Sequence, residues 1–128
     1  MTIKNPQFIL PQVDTDDTRE LFGAIYDGTH HFFKHVILWG LEQFEVGRQT
    51  GQHDIEFLPQ FKLEQVAFGF LKTEDEDIYN MMTEINEESG KMFGDAIFGS
   101  ALRELLSQGL IAHDAETGGV ATLVPVNA

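Results

Sequence analysis

The chain has 128 residues, 21 acidic against 8 basic side chains, a formal net charge of −13, and eleven Phe against two Tyr and one Trp. One domain of this length can bury about 70% of its unfolded surface, so its core needs no disulfide or metal. The lack of Cys removes a disulfide framework, a thiolate zinc site and a Cys nucleophile; the lack of an apolar run near ~18 residues removes a membrane span; and the start, MTIKNPQFILPQV, does not read as a secretory signal, which leaves the cytoplasm as the default location.

Residues 1–13 read as an extended arm. Pro6 and Pro11 disfavour helix before them, and Phe8, Ile9 and Leu10 can pin the arm to the body. Residues 14–47 read as a long helix. Asp17 is its N-cap, Glu20 three positions on completes a capping-box pattern, and Asp14 and Asp16 add charge that suits the helix dipole. Phe22, Ile25, Phe33, Ile37, Leu41 and Phe44 recur at helical spacing. Gly28 and Gly40 interrupt the pattern, so it predicts either one bent helix or two helices meeting near Gly28 and Thr29, ended by Gly47 and Gly51.

Residues 48–58 read as a loop, with Pro59 as the first residue of the next helix. Leu63, Val66, Ala67 and Phe70 give that helix an apolar face; the alternation of Val66, Phe68 and Phe70 keeps a strand open as an alternative. Residues 73–77 read as an acidic turn with Thr73 as N-cap. A third helix follows through Ile78, Met81, Met82 and Ile85, ended by Ser89 and Gly90. A fourth spans 93–108, with Ile97, Ala101, Leu102, Leu105 and Leu106 inward and Gly109 as its stop. Two short apolar runs around Ala115–Gly119 then predict a β-hairpin. The fold class is mainly α with a C-terminal β-hairpin, within a single domain.

The stretch Ala101-Leu102-Arg103-Glu104-Leu105-Leu106-Ser107-Gln108-Gly109-Leu110-Ile111 resembles the end of the recognition helix and the start of the wing in winged-helix proteins. The likeness covers residues 60–126, with the long N-terminal helix as an addition. It implies a winged-helix core in which DNA would be read from Met92, Gly94, Asp95, Phe98 and Gly99, and from Asp114, Glu116 and Thr117 in the wing. The charge opposes that use. Residues 74–95 hold eight carboxylates (Glu74, Asp75, Glu76, Asp77, Glu84, Glu87, Glu88, Asp95) against Lys91 alone, whereas DNA affinity rests largely on Lys and Arg neutralising phosphates.

Candidate chemistry is sparse. His31 and His35, at i and i+4, have the spacing for a shared zinc, with Asp27 one turn before, but HFFKH lacks the Glu of a zincin motif. The histidines read better as polar helix positions, and no metal or cofactor is expected. Asp14, Asp16, Asp17 and Glu20 lack the Gly and spacing of a calcium loop and are explained by capping. No nucleophile elbow and no phosphate loop appears, so the chain does not read as an enzyme. A helix packed through Ile97, Ala101, Leu102 and Leu105 cannot turn both Phe93 and Phe98 fully inward.

The expectation is therefore a small acidic, non-enzymatic protein-interaction module. It would be an inhibitor or mimic directed at a basic nucleic-acid-handling protein, in the manner of toxin-immunity or phage-encoded blocking proteins. Glu74, Asp75, Glu76, Asp77, Glu84, Glu87 and Glu88 would supply charge, and Met82 and Phe98 apolar contact. The alternatives are a winged-helix DNA-binding regulator dimerising through the N-terminal helix, and a subunit of a larger viral or multiprotein assembly.

Overall fold

The computed structural model describes residues 3–9 and 17–125. Asp14, Asp16, Leu10, Pro11 and Val126 lie outside them. The apolar stripe that begins at Phe22 forms one unbroken helix, α1 (Thr18–Gln49), capped by Asp17, whose side chain accepts from the Arg19 amide at 2.8 Å. Gly28 and Gly40 sit inside it without breaking it, because tertiary contacts outweigh their low helix propensity. Gly28 is buried, and Gly40 lies against Leu63 of the next helix.

The arm runs antiparallel to α1. The Ile3 amide donates to the carboxylate of the buried Glu42 at 3.0 Å, the Trp39 indole donates to Asn5 Oδ1 at 3.1 Å, and the Phe8 ring meets Phe32 edge-on at 5.5 Å. The expected pinning by Phe8 is therefore present, while Ile9 is exposed.

Before the second helix, Leu58 and Pro59 form a two-residue strand, β1, that was expected as loop and helix start. Two residues are too few to display a period, and Pro59 pairs only at an edge, where its missing N–H costs nothing. Helix α2 (Gln60–Glu74) buries Leu63, Ala67, Phe68 and Leu71. Val66 is exposed, so the buried stripe lies about one position from the expected one and the strand alternative does not apply.

The expected acidic turn is absent. Helix α2 continues through Glu74, the Thr73 hydroxyl donates back to the Gly69 carbonyl, and the next cap is Asp75, which accepts from the Ile78 amide at 3.1 Å. Helix α3 (Glu76–Met82) is a short one; Ile85, expected on its face, instead bridges to Met92 and is exposed. The helix ends at Met82 with Thr83 as its C-cap, and in the loop beyond it Asn86 accepts from the Glu88 and Ser89 amides, a local side-chain bond that competes with helix.

Helix α4 (Phe93–Ser107) buries Gly94, Ile97, Phe98, Ala101, Leu102 and Leu105. At its end Gly109 takes φ +72°, which a side chain would strain. The hairpin of β2 (Ile111–Asp114) and β3 (Gly119–Thr122) is as expected, but β1 extends it to a three-stranded antiparallel sheet ordered β1-β3-β2.

One core joins these elements. Phe33 of α1 is fully buried, with Phe68 of α2 at 5.3 Å and Phe98 of α4 at 5.8 Å between ring centroids. The seat of the Phe68 ring on α4 depends on Gly94: a Cβ there would stand 2.6 Å from that ring and 3.0 Å from the Met82 carbonyl oxygen.

Candidate interaction surface

Helix α1 has 32 residues and α2 and α4 have 15 each. At 1.5 Å per residue, α1 is about 48 Å long and its neighbours about 22 Å. Helices half its length cannot cover all of it. Its middle, from Phe32 to Glu42, receives the arm; among the described residues none of the arm reaches its first turns. Phe22 is 55% exposed there, with Leu21 and Tyr26 also exposed.

Phe22 and Tyr26, one helical turn apart, form one wall of a groove of about 400 Å³. The opposite walls come from Met81, Met82 and Glu84 on α3 and the loop after it, and from Phe93, Ala96 and Ile97 on α4. Phe93 is 43% exposed, whereas Phe98 and Met82 are 1% and 2% exposed. This corrects the expectation for the last two. Phe98 points into the core against Phe33, and Met82 forms the floor of the groove, so neither is a free apolar contact. The residues that do present apolar area are Phe22, Tyr26 and Phe93. Their signal was partly in the sequence, since one of Phe93 and Phe98 had to face outward.

The acidic residues flank this groove along the chain. Glu74 ends α2, Asp75 caps α3, and Glu76 and Asp77 stand exposed in the first turn of α3, one turn before Met81. Glu84 lines the groove, and Glu87 and Glu88 are exposed in the loop between α3 and α4. Acids at the N-terminal turn suit the helix dipole. Among the described residues none of these seven carboxylates is in an ion pair.

That loop is fastened rather than free. The Asn86 amide donates to the Lys91 carbonyl at 2.8 Å, the Gly90 amide to the Asn86 carbonyl at 2.8 Å, and the Phe93 amide to the Glu84 carbonyl at 3.1 Å. At the helix start Asp95 accepts from the Met92 amide at 3.1 Å. Asp95 also faces Glu64 of α2. Burial, then the hydrogen bond with Asp95 and its charge, push the Glu64 carboxyl up to about 7.

Two of the clustered histidines, His30 and His35, make contacts within the chain. His35 Nε2 donates to the Lys4 carbonyl at 2.8 Å, holding the arm. His30 and Lys34 both reach Glu104 of α4, the lysine at 3.0 Å, and these bonds hold the Glu104 carboxyl below its usual range. His31 is exposed. Among the described residues no three His, Asp or Glu side chains gather as a metal site, and no helix is long and apolar enough to cross a membrane. No protein-family profile matches the chain, and neither a curated protein nor a solved structure matches it.

Proposed function

We propose that this chain is a non-enzymatic interaction module that binds a basic protein, acting as an inhibitor or mimic on a nucleic-acid-handling partner. One observation carries the reading: an apolar groove walled by exposed Phe22, Tyr26 and Phe93 adjoins the most acidic segment of the molecule. Exposed aromatic area gives a partner something to bury. The unpaired carboxylates would steer a basic partner and weaken with salt.

The scaffold reads as a winged helix. The succession of α1, β1, α2, α3, α4, β2 and β3 with sheet order β1-β3-β2 supports that reading, and α4 would then stand in the recognition position. Its outward residues are Phe93, Ala96, Gly99 and Arg103 rather than a row of cations. A duplex would also meet Glu84, Glu87 and Glu88 just before α4 and Asp114 and Glu116 in the wing, so repulsion from phosphates disfavours DNA.

The test is capture from a cell lysate at low salt, with elution stepped by salt and duplex DNA offered in parallel. A basic protein should be retained and released by rising salt. Bait carrying Glu74→Gln, Asp75→Asn, Glu76→Gln and Asp77→Asn should lose most of it, as should bait carrying Phe22→Ser with Phe93→Ser. Retention indifferent to salt and to both sets of substitutions would sink the proposal. Retention of the duplex instead would favour a DNA-binding regulator.

A further inference from the structure

Beside the apolar groove lies a second cavity of about 350 Å³, and the two share Phe93 and Ala96 on the outer face of α4. Its chemistry is the reverse of the surrounding surface. Lys91 and Arg103 both line it, and among the described residues neither has an ion-pair partner. Arg103 is folded against Gly99, one turn before it, where an added Cβ would come within 3.3 Å of the guanidinium. The missing side chain at Gly99 lets the guanidinium lie along the helix, toward the cavity.

Two neutral donors join the cations. Asn86 Oδ1 is occupied by the Glu88 and Ser89 amides at 2.9 and 3.3 Å, so its Nδ2 is left to donate. Ser89 Oγ accepts from the Lys91 amide at 3.3 Å, which leaves its O–H to donate. The single acid in the lining, Asp95, accepts from the Met92 amide and is hydrogen-bonded to Glu64 of α2. The Asn86–Lys91 turn is closed by its own backbone bonds, so these donors are held before any ligand arrives.

We infer that this cavity is a carboxylate-binding subsite for a partner's chain terminus, whose apolar side chain near the end lies across Phe93 in the neighbouring groove. The inference rests on the interaction reading above and specifies its ligand. A carboxylate suits the fork of an arginine. It carries one negative charge, where a phosphate would bring nearly two into a region already rich in carboxylates. A chain end supplies an anion and an apolar side chain at short separation, matching two cavities that share two residues. Basic residues earlier in the same peptide would face the acids of α3.

The test is fluorescence anisotropy at low salt on the full chain, using labelled synthetic decapeptides that have a run of lysines and a bulky apolar residue near the C-terminus. Three forms are compared: free acid, C-terminal amide, and amide with an internal glutamate. The free acid should bind about tenfold more tightly than the amide, the worth of one charge-assisted contact. Arg103→Gln and Lys91→Gln should each bring the acid down toward the amide, and Phe93→Ser should weaken both forms. Equal affinity of acid and amide overturns the subsite while the lysate capture still stands. An advantage for the acid that survives in both cation variants overturns the assignment to Lys91 and Arg103. Absence of binding by every peptide overturns the inference as well, and an internal glutamate that replaces the free terminus overturns the choice of a chain end. Failure of the broader reading is separate: it shows as lysate capture indifferent to salt and to both sets of substitutions.

Discussion

The two ends of α1 carry the same kind of apolar stripe and meet opposite fates. From the middle of the helix toward its C-terminal end, the arm covers Phe32 and Glu42, and Trp39 lies edge-on to Phe70 of α2 at 5.1 Å. At the N-terminal end, Leu21, Phe22 and Tyr26 continue the stripe and remain exposed, with α3 and α4 standing across a groove from Phe22 and Tyr26. Amphipathic spacing makes a helix; it does not say how much of the helix will find a partner within the chain. That depends on the lengths of the neighbouring elements, and here α1 outruns them.

The sharpest way to separate the two ends is to truncate an aromatic at each. Phe33→Ala removes a ring buried between Phe68 and Phe98 and should cost about 3–5 kcal/mol of unfolding free energy. Phe22→Ala removes a ring more than half exposed and should stay within about 0.5 kcal/mol, while weakening partner capture. Urea unfolding of both variants measures the contrast. A loss of several kcal/mol from Phe22→Ala would mean that the groove is part of the stabilising core, and the interaction reading would lose its main support.

Much of this architecture is legible in the residues. The Asp17 cap, the long helix, the inward set Ile97, Ala101, Leu102 and Leu105, and the hairpin turn all follow from local chemistry and spacing. The errors have a common cause in tertiary competition. Thr73 and Asp75 are both credible caps, and the helix that can bury Leu71 by running on chooses Asp75. Ile85 sits at the right spacing for α3, but the Asn86 turn and the bridge to Met92 pull it off the helix. Strand β1 exists only because β3 presents an edge to Leu58 and Pro59. For the site, the acidic residues were legible as a run of charge. Met82 and Phe98 are expected outside because spacing alone does not rank them against Met81 and Phe93.

A finer contrast lies between two helix glycines. Gly94→Ala should destabilise by about 1–3 kcal/mol, the usual range for overpacking, because its Cβ would meet both a buried ring and a carbonyl oxygen. Gly69→Ala, on the exposed side of α2 with nothing within 4 Å of the added carbon, should instead stabilise by about 0.5–1 kcal/mol through helix propensity. Thermal unfolding of the pair reads both signs. If Gly94→Ala were neutral, α2 and α4 would have room to separate, and the joint that positions Phe93 would be looser than the packing implies.

The smallest effect concerns the Glu64–Asp95 contact across that same joint. Glu64 has a folded pKa of about 7 against 4.5 ordinarily, through burial first and then Asp95. Between pH 4.5 and 7 the folded chain therefore holds more of this proton than the unfolded chain. Its contribution favours folding at the acidic end of that window and is lost as pH rises through it. Glu104 and Asp114, whose carboxyls are held low by His30 and Thr117 respectively, act in the opposite sense, losing stability as pH falls below the ordinary carboxylate range. The difference between wild type and Glu64→Gln isolates the first effect: it should be near zero at pH 4.5 and grow in favour of the variant toward pH 8. Asp95→Asn should recover only part of that gain, because Glu64 stays buried while the amide oxygen can still accept from Met92. A difference that does not change with pH would place Glu64 in solvent, apart from Asp95. The α2–α4 joint would then be held by Phe68 on Gly94 without any restraint from the carboxyl pair.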